Sequence, residues 1–287
     1  MSSPSAKPVP LMQWQPPMVR VLWALTPALA MSVWLFGWRS LVMLAVVNGF
    51  GWLAEYLFAR HYREPVTSAV LVTNCLLALS LPPNLPWWMA ALGIVFGVVF
   101  GKMAFGGFGR NIFNPALVGR AFLYVNFTTA MNNRWFEPVG GAWGGLTRYA
   151  PDAICSATPI ARLSAGEDVP WRQLLLGNTA GCLGETSALL LLLGGGWLLW
   201  NKTANRAIVA ATIGSFLALH GALWLTGVAG VGDPFRAMLS GGFILGALFM
   251  ATDYVTSPIT SKGKIVFGVS CGLLTMMLRL YSKSPEG

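Results

Sequence analysis

The sequence predicts an all-α polytopic membrane protein, and three observations carry that prediction. Of its 287 residues, 55% are hydrophobic and only 10% charged, with a mean hydropathy of +0.61. A water-soluble domain carries about 25% charged residues, so this chain has too few charges to cover a wetted surface. Apolar runs near the ~20 residues that cross a bilayer recur along its length. Its 13 Trp suit the two membrane interfaces, where an apolar ring with one N–H donor is stable.

The start, Ser2 to Pro17, is polar and Pro-rich, and no cleavage site follows the first apolar run, which argues against a secretory signal. The first two runs, Val21 to Trp38 and Leu41 to Ala59, are separated only by Arg39 and Ser40 and predict a tight antiparallel pair. The third, Thr67 to Leu81, is stopped by Pro82-Pro83-Asn84-Leu85-Pro86, because proline removes a backbone donor. The fourth, Trp87 to Phe105, carries Gly93, Gly97 and Gly101, a spacing that lets helices approach closely. A turn from Gly106 to Pro115 leads to a short fifth run, Ala116 to Phe127.

A long polar interruption follows, residues 128–172. Beyond it, Leu174 to Trp200 reads as a sixth span, Ala207 to Leu225 as a seventh, Leu239 to Ala251 as a short eighth and Ile265 to Leu280 as a ninth. Residues 68–115 and 240–287 repeat one order: apolar run, broken turn, Gly-rich span, turn with Pro. In the first half a further apolar run follows that last turn, so by analogy this chain lacks a final helix.

The net charge of +9 does not point to nucleic acid in so apolar a chain; Lys and Arg gather in loops on one side of a membrane. With the N-terminus cytoplasmic, the larger share of the 19 basic residues falls inside, Lys102, Arg110 and Arg120 among them, while Arg148, Arg162, Arg236 and Arg279 fall outside. The polar loop is then extracytoplasmic. Cys75, Cys155, Cys182 and Cys271 form no C-x-x-C pair, and His61 and His220 are far apart, so a metal or iron–sulfur site made by this chain alone is not expected.

Three groups can carry chemistry. In Gly106 to Pro115, Asn111 and Asn114 stand three apart at a helix start, where two amides can face one ligand; either can equally cap the helix that begins at Pro115. Carboxylates at membrane depth are costly and kept for a reason, which singles out Glu55, Glu185 and Asp253. Asp253 sits where a short helix should unwind, a setting for a hard cation or a proton; Glu55 can instead snorkel toward Arg60. Thr158, in an exposed loop, is by its own chemistry a turn residue whose hydroxyl can be esterified.

Taken together, Phe105 to Leu117, Gly184-Glu185-Thr186-Ser187, Phe249-Met250-Ala251-Thr252-Asp253 and the terminal Pro285-Glu286-Gly287 resemble the NqrB/RnfD family, the membrane component shared by two respiratory pumps. These are the Rnf ferredoxin:NAD oxidoreductase, which contains the RnfD form, and the sodium-pumping NADH:quinone oxidoreductase, which contains the NqrB form. The resemblance implies two five-helix repeats similar to urea transporters, with about nine to ten membrane helices here. The chain then divides into a cytoplasmic segment 1–20, a first membrane repeat 21–127, an extracytoplasmic loop 128–172 and a second membrane repeat 173–287.

The resemblance also implies two flavins. One is FMN joined by a phosphoester to the Thr of a D-x-x-[ST]-x-A-T motif; Asp152, Cys155, Ser156, Ala157 and Thr158 match its spacing, with Cys155 where the motif has Ser or Thr. The other is a non-covalent riboflavin at Asn111 and Asn114, beside Arg110. Glu55 and Asp253 match the family's ion-path carboxylates, and Glu185 joins them as a candidate. The implied partners are a flavin transferase, iron–sulfur and second covalent-FMN subunits, and ferredoxin and NAD at the level of the complex. The implied setting is a bacterial inner membrane. No residue is expected to act as a conventional acid–base catalyst, and the chain is not expected to turn over alone.

The short N-terminal segment and Met250 to Pro258 look closer to the Rnf form, whereas Gly109-Arg110-Asn111 and Gly119 to Leu123 look closer to the quinone-reducing form; the resemblance favours the Rnf form, with the other as the alternative. A small-solute channel or transporter is the rival from another class, since a repeat with broken helices allows it.

Overall fold

A computed structural model describes residues 10–132, 135–140, 143–151, 156–185 and 187–281. Asp152 and Cys155 of the loop motif, Thr186 and the terminal Pro285-Glu286-Gly287 lie outside the described residues.

Helix α1 (Pro16–Phe36) starts before the apolar run does, because Pro16 and Pro17 preset the backbone of its first turn. Gly37, at φ 84, reverses the chain into α2 (Arg39–Tyr62). Ahead of α1, Met12–Gln13 (β1) pairs in parallel with Val66–Thr67 (β2), which fixes the backbone of Thr67 at the entrance of α3 (Ala69–Leu79). The prolines that end α3 lead into α4 (Trp87–Gly101), and a turn through Gly106, Gly107 and Gly109, all at positive φ, leads to α5 (Pro115–Asn126).

Helices α4 and α5 touch backbone to backbone. A Cβ on Gly119 would lie 2.5 Å from the carbonyl oxygen of Gly93, so the small residues set the approach of the two helices. Among the described residues of the polar loop are the short helices α6 (Thr128–Asn132), α7 (Pro159–Ser164) and α8 (Trp171–Leu176), with a 3-10 turn at Gly144–Thr147.

The sixth apolar run is not one span. It breaks after α8 at Gly177, which takes a left-handed backbone at φ 88, and resumes as α9 (Ala188–Trp200). Between them the chain folds against the end of α3, with Gly184 N donating to Leu79 O at 2.7 Å and Leu183 N to Leu81 O at 3.1 Å. Next come α10 (Arg206–Leu225), α11 (Pro234–Leu239), the single turn α12 (Phe243–Leu245) and α13 (Ser261–Tyr281). Helix α12 widens into a π-helical turn over Gly246–Met250, closed by Ala251 N to Gly246 O at 2.7 Å.

Among the described residues, α1, α2, α4 with its extension to Phe105, α10 and α13 are long and apolar enough to cross a membrane. Helices α3 and α9 are apolar but shorter. The chain is therefore a multi-pass all-α protein in which full spans alternate with half-length, broken segments. Helix α13 packs along α10, as α4 packs along α2, and it leaves Val266, Leu274 and Leu278 exposed on a face suited to lipid.

Candidate functional site

The start of α3, the turn after α4 and the stretch after the π-helical turn meet near the C-terminal end of α4. Glu55 on α2 is 2% exposed, and it faces Lys102 rather than snorkelling toward Arg60. The Lys102 ammonium lies 2.6 Å from Glu55 Oε2 and donates to Thr67 Oγ1 at 2.9 Å. Thr67 completes the cluster by donating to Glu55 Oε1 from its hydroxyl at 2.8 Å and from its backbone N–H at 3.0 Å. The β1–β2 bridge holds that N–H in place. A buried carboxylate is tolerated when its lone pairs are filled in this way.

Lys102 also lines a small cavity of about 50 Å³ whose wall includes Asn111, Asn114, Thr73, Thr252 and Asp253. The π-helical turn ends at Met250 and delivers Asp253 to this cavity on an irregular stretch. Asp253 Oδ2 accepts from Thr256 Oγ1 at 2.9 Å and Oδ1 from Val255 N at 3.4 Å. Asn111 is buried; its amide N–H donates to Phe113 O at 3.1 Å, while its Oδ1 has no partner among the described residues. Asn114 caps α5, its Oδ1 accepting from Ala116 N at 3.0 Å. Arg110 is exposed and lines neither this cavity nor the next.

Asn114 is shared with a second cavity of about 460 Å³, within the range of small-molecule sites. Phe113, Phe243, Phe267 and Met250 give it an apolar wall, and Arg120 and Arg279 supply positive charge. Arg279 is held between the rings of Phe216 and Phe243, at 5.3 and 5.8 Å, and donates to Ala237 O at 2.6 Å and Ser240 O at 2.9 Å.

Glu185 stands apart from Glu55 and Asp253. It is buried, accepts from Cys182 N at 3.3 Å and lies 3.8 Å from Arg120, which also donates to Ser80 O at 2.8 Å. Glu185 shares a narrow crevice with Thr158, at the loop end of the molecule. Thr158 is 4% exposed, in contrast to the exposed position its polar loop predicts; it caps α7 by accepting from Ala161 N at 3.3 Å, which turns its hydroxyl inward. Beside it, Ser156, Ala157, Arg162, Gln173, Asn178 and Thr179 line a polar cavity of about 470 Å³. The 12 residues of α5 separate the two ends by about 18 Å of helix.

The sequence alone does not single out Lys102 or Thr67. It groups Lys102 with the basic loop residues, yet Lys102 is 2% exposed. Arg120 and Arg279, which the sequence also groups with the loops, bond to carbonyls between helices. The signal that marks Glu55, a charge bordering an apolar run, is equally present at Lys102.

Comparison with known proteins agrees with this architecture. A family model described as the NQR2, RnfD, RnfE family matches residues 10–287. The chain is 38% identical to the component designated D of the Na(+)-translocating ferredoxin:NAD(+) oxidoreductase complex of Acetobacterium woodii, over 94% of this chain and 82% of that one. It is 35% identical to the component of the same letter in the proton-translocating ferredoxin:NAD(+) oxidoreductase complex of Clostridium ljungdahlii, over 93% and 84%. Against the component designated B of the Na(+)-translocating NADH-quinone reductase of Pseudomonas paraeruginosa the identity is 37%, over 84% of this chain and 60% of that one.

Proposed function

The chain belongs to the NQR2, RnfD, RnfE family, and from that premise we propose that it is the flavin-carrying membrane subunit of a redox-driven cation pump of the ferredoxin:NAD+ type. Its relatives are components of ion-translocating oxidoreductase complexes. The observation that carries the finer reading is Asn114. It borders both a cavity large enough for a small-molecule ring system and a small charged cavity holding Asp253 and Lys102. A redox centre and an ion site that share one residue can feel each other's charge.

The side chains present fit the two cofactors. At the loop end, Ala157 and Pro159 on either side of Thr158 line a polar cavity with one cation, Arg162, and one carboxylate, Glu137; Arg162 would take the phosphate ester of FMN, and Thr158 is the hydroxyl at the end of the motif. At the other end, the larger cavity offers aromatic walls and two guanidinium groups to a riboflavin ring, with Asn114 at its edge. The smaller cavity is too narrow for a flavin, so Asn111 serves the ion site while Asn114 serves both. Bound flavins supply one- and two-electron chemistry; the protein supplies position and polarity. Arg120 and Arg279 favour the accumulation of negative charge in the larger cavity, and the buried Thr158 cap keeps the loop closed over its own attachment point.

In this reading the loop is extracytoplasmic and the N-terminus cytoplasmic, in a bacterial inner membrane. A flavin transferase must reach Thr158 before α7 packs or when it opens. Iron–sulfur and second FMN-bearing subunits connect the chain to ferredoxin and NAD. Glu55, Asp253 and, nearer the loop, Glu185 form the cation path.

Production with a flavin transferase, followed by a denaturing gel, tests the proposal. The wild-type chain should fluoresce as a flavoprotein and Thr158→Ala should not. A wild-type chain without fluorescence would instead favour a small-solute transporter.

A further inference from the structure

The charges at the small cavity do not cancel. Glu55 and Lys102 make a neutral pair, while Asp253 forms no ion pair among the described residues and is held only by hydroxyl and amide donors. Lys102, Asp253 and Tyr254 are the ionisable residues of the cavity wall, with Glu55 behind Lys102. Lys102 lines the cavity on a flexible four-carbon stem, its ammonium 5.7 Å from the centre of the ring of Phe108, which belongs to the same wall as Asp253. With Asp253 ionised, one net negative charge in a space of about 50 Å³ calls for a single small cation, and the unpartnered Asn111 Oδ1 offers it a neutral oxygen ligand.

We propose that Lys102 is a tethered cation shared between Glu55 and Asp253, in competition with the mobile monovalent cation. With the mobile cation on Asp253, the ammonium rests on Glu55. When that cation leaves, the ammonium crosses the cavity to Asp253, and Glu55 takes up the negative charge. Lys102 is thus a positioning residue that makes the site release its ion. The inference rests on the ion-path reading of Asp253 given above.

The test uses the purified complex, with thermal stability as the readout, because a cation that binds the folded state raises Tm with its concentration. One arm titrates NaCl against choline chloride at constant ionic strength and fixed pH; the other varies pH without sodium. The key variant is Glu55→Gln/Lys102→Met. It removes the competitor and its partner together, so no buried charge is stranded and the cavity keeps the same net charge. Its half-saturating sodium concentration should fall at least tenfold below wild type, or its stability-versus-pH midpoint should rise by at least one unit where the ion is a proton. Asp253→Asn should abolish the response. Half-saturation unchanged in the double variant, with Asp253→Asn unresponsive, would overturn the tethered cation and leave the ion path standing. A wild-type response retained in Asp253→Asn in both arms would remove the ion path, and this proposal with it.

Discussion

Lys102 and Glu55 form a salt bridge at 2.6 Å with both side chains 3% exposed, linking the end of α4 to the middle of α2. Such a pair adds little over a well-packed apolar pair, because desolvation offsets the Coulomb gain; what is costly is to break it by halves. Lys102→Met should destabilise the protein by about 3–5 kcal/mol, because it leaves the buried Glu55 carboxylate without its cation. Glu55→Gln/Lys102→Met should recover most of that loss. Denaturation of the three proteins in one detergent measures the difference; equal losses in single and double variants would mean that an unpaired buried charge is not what costs stability.

Asn114 has two roles that substitution can separate. Its Oδ1 caps α5, and its amide borders the larger cavity. Asn114→Ala should cost about 1 kcal/mol through the lost cap and should also lower extractable riboflavin. Asn114→Ser keeps a capping oxygen, so it should restore stability without restoring riboflavin. Riboflavin that tracks stability through both variants would reduce Asn114 to its cap.

Thr158 offers a similar separation. Its hydroxyl caps α7, and in the function proposed above it is also the acceptor of the phosphoester. Thr158→Ser keeps the hydroxyl for both roles and should retain the cap and covalent flavin. Thr158→Asn keeps a good cap but has no hydroxyl, so its stability should hold while in-gel fluorescence disappears. Fluorescence persisting in Thr158→Asn would place the attachment elsewhere.

The sequence reveals the membrane spans best where apolar length is uninterrupted, as in α2, α10 and α13. Over Leu174 to Trp200 it marks a polar break at Glu185 within one span, but hydropathy does not see Gly177 adopt a left-handed backbone, nor Gly184 dock on Leu79. Asn111, Asn114 and Asp253 are legible as polar groups beside broken helices, and the fold brings them to one cavity. Lys102 is not, since a basic residue at the end of an apolar run reads the same whether it snorkels outward or turns inward. Only the packing of α2 against α4, which brings Glu55 to it, decides the matter.

That packing leads to the last prediction, on Gly119. Its backbone lies so close to α4 that an added Cβ would meet Gly93 O at 2.5 Å and Gly93 C at 3.2 Å. The obstacle is backbone, which cannot rotate away, so α5 must shift. Gly119→Ala should therefore destabilise by about 1–3 kcal/mol, the range for overpacking. Because Asn114 begins the same helix, the function proposed above further predicts weaker riboflavin retention without a change in covalent FMN at the far end. Gly221→Ala is the control: it lies mid-helix in α10 with nothing within 4 Å of an added Cβ, so it should be neutral or slightly stabilising. Thermal unfolding with parallel flavin extraction separates the two glycines, and similar values for both would mean that the approach of α4 and α5 does not hold the site together.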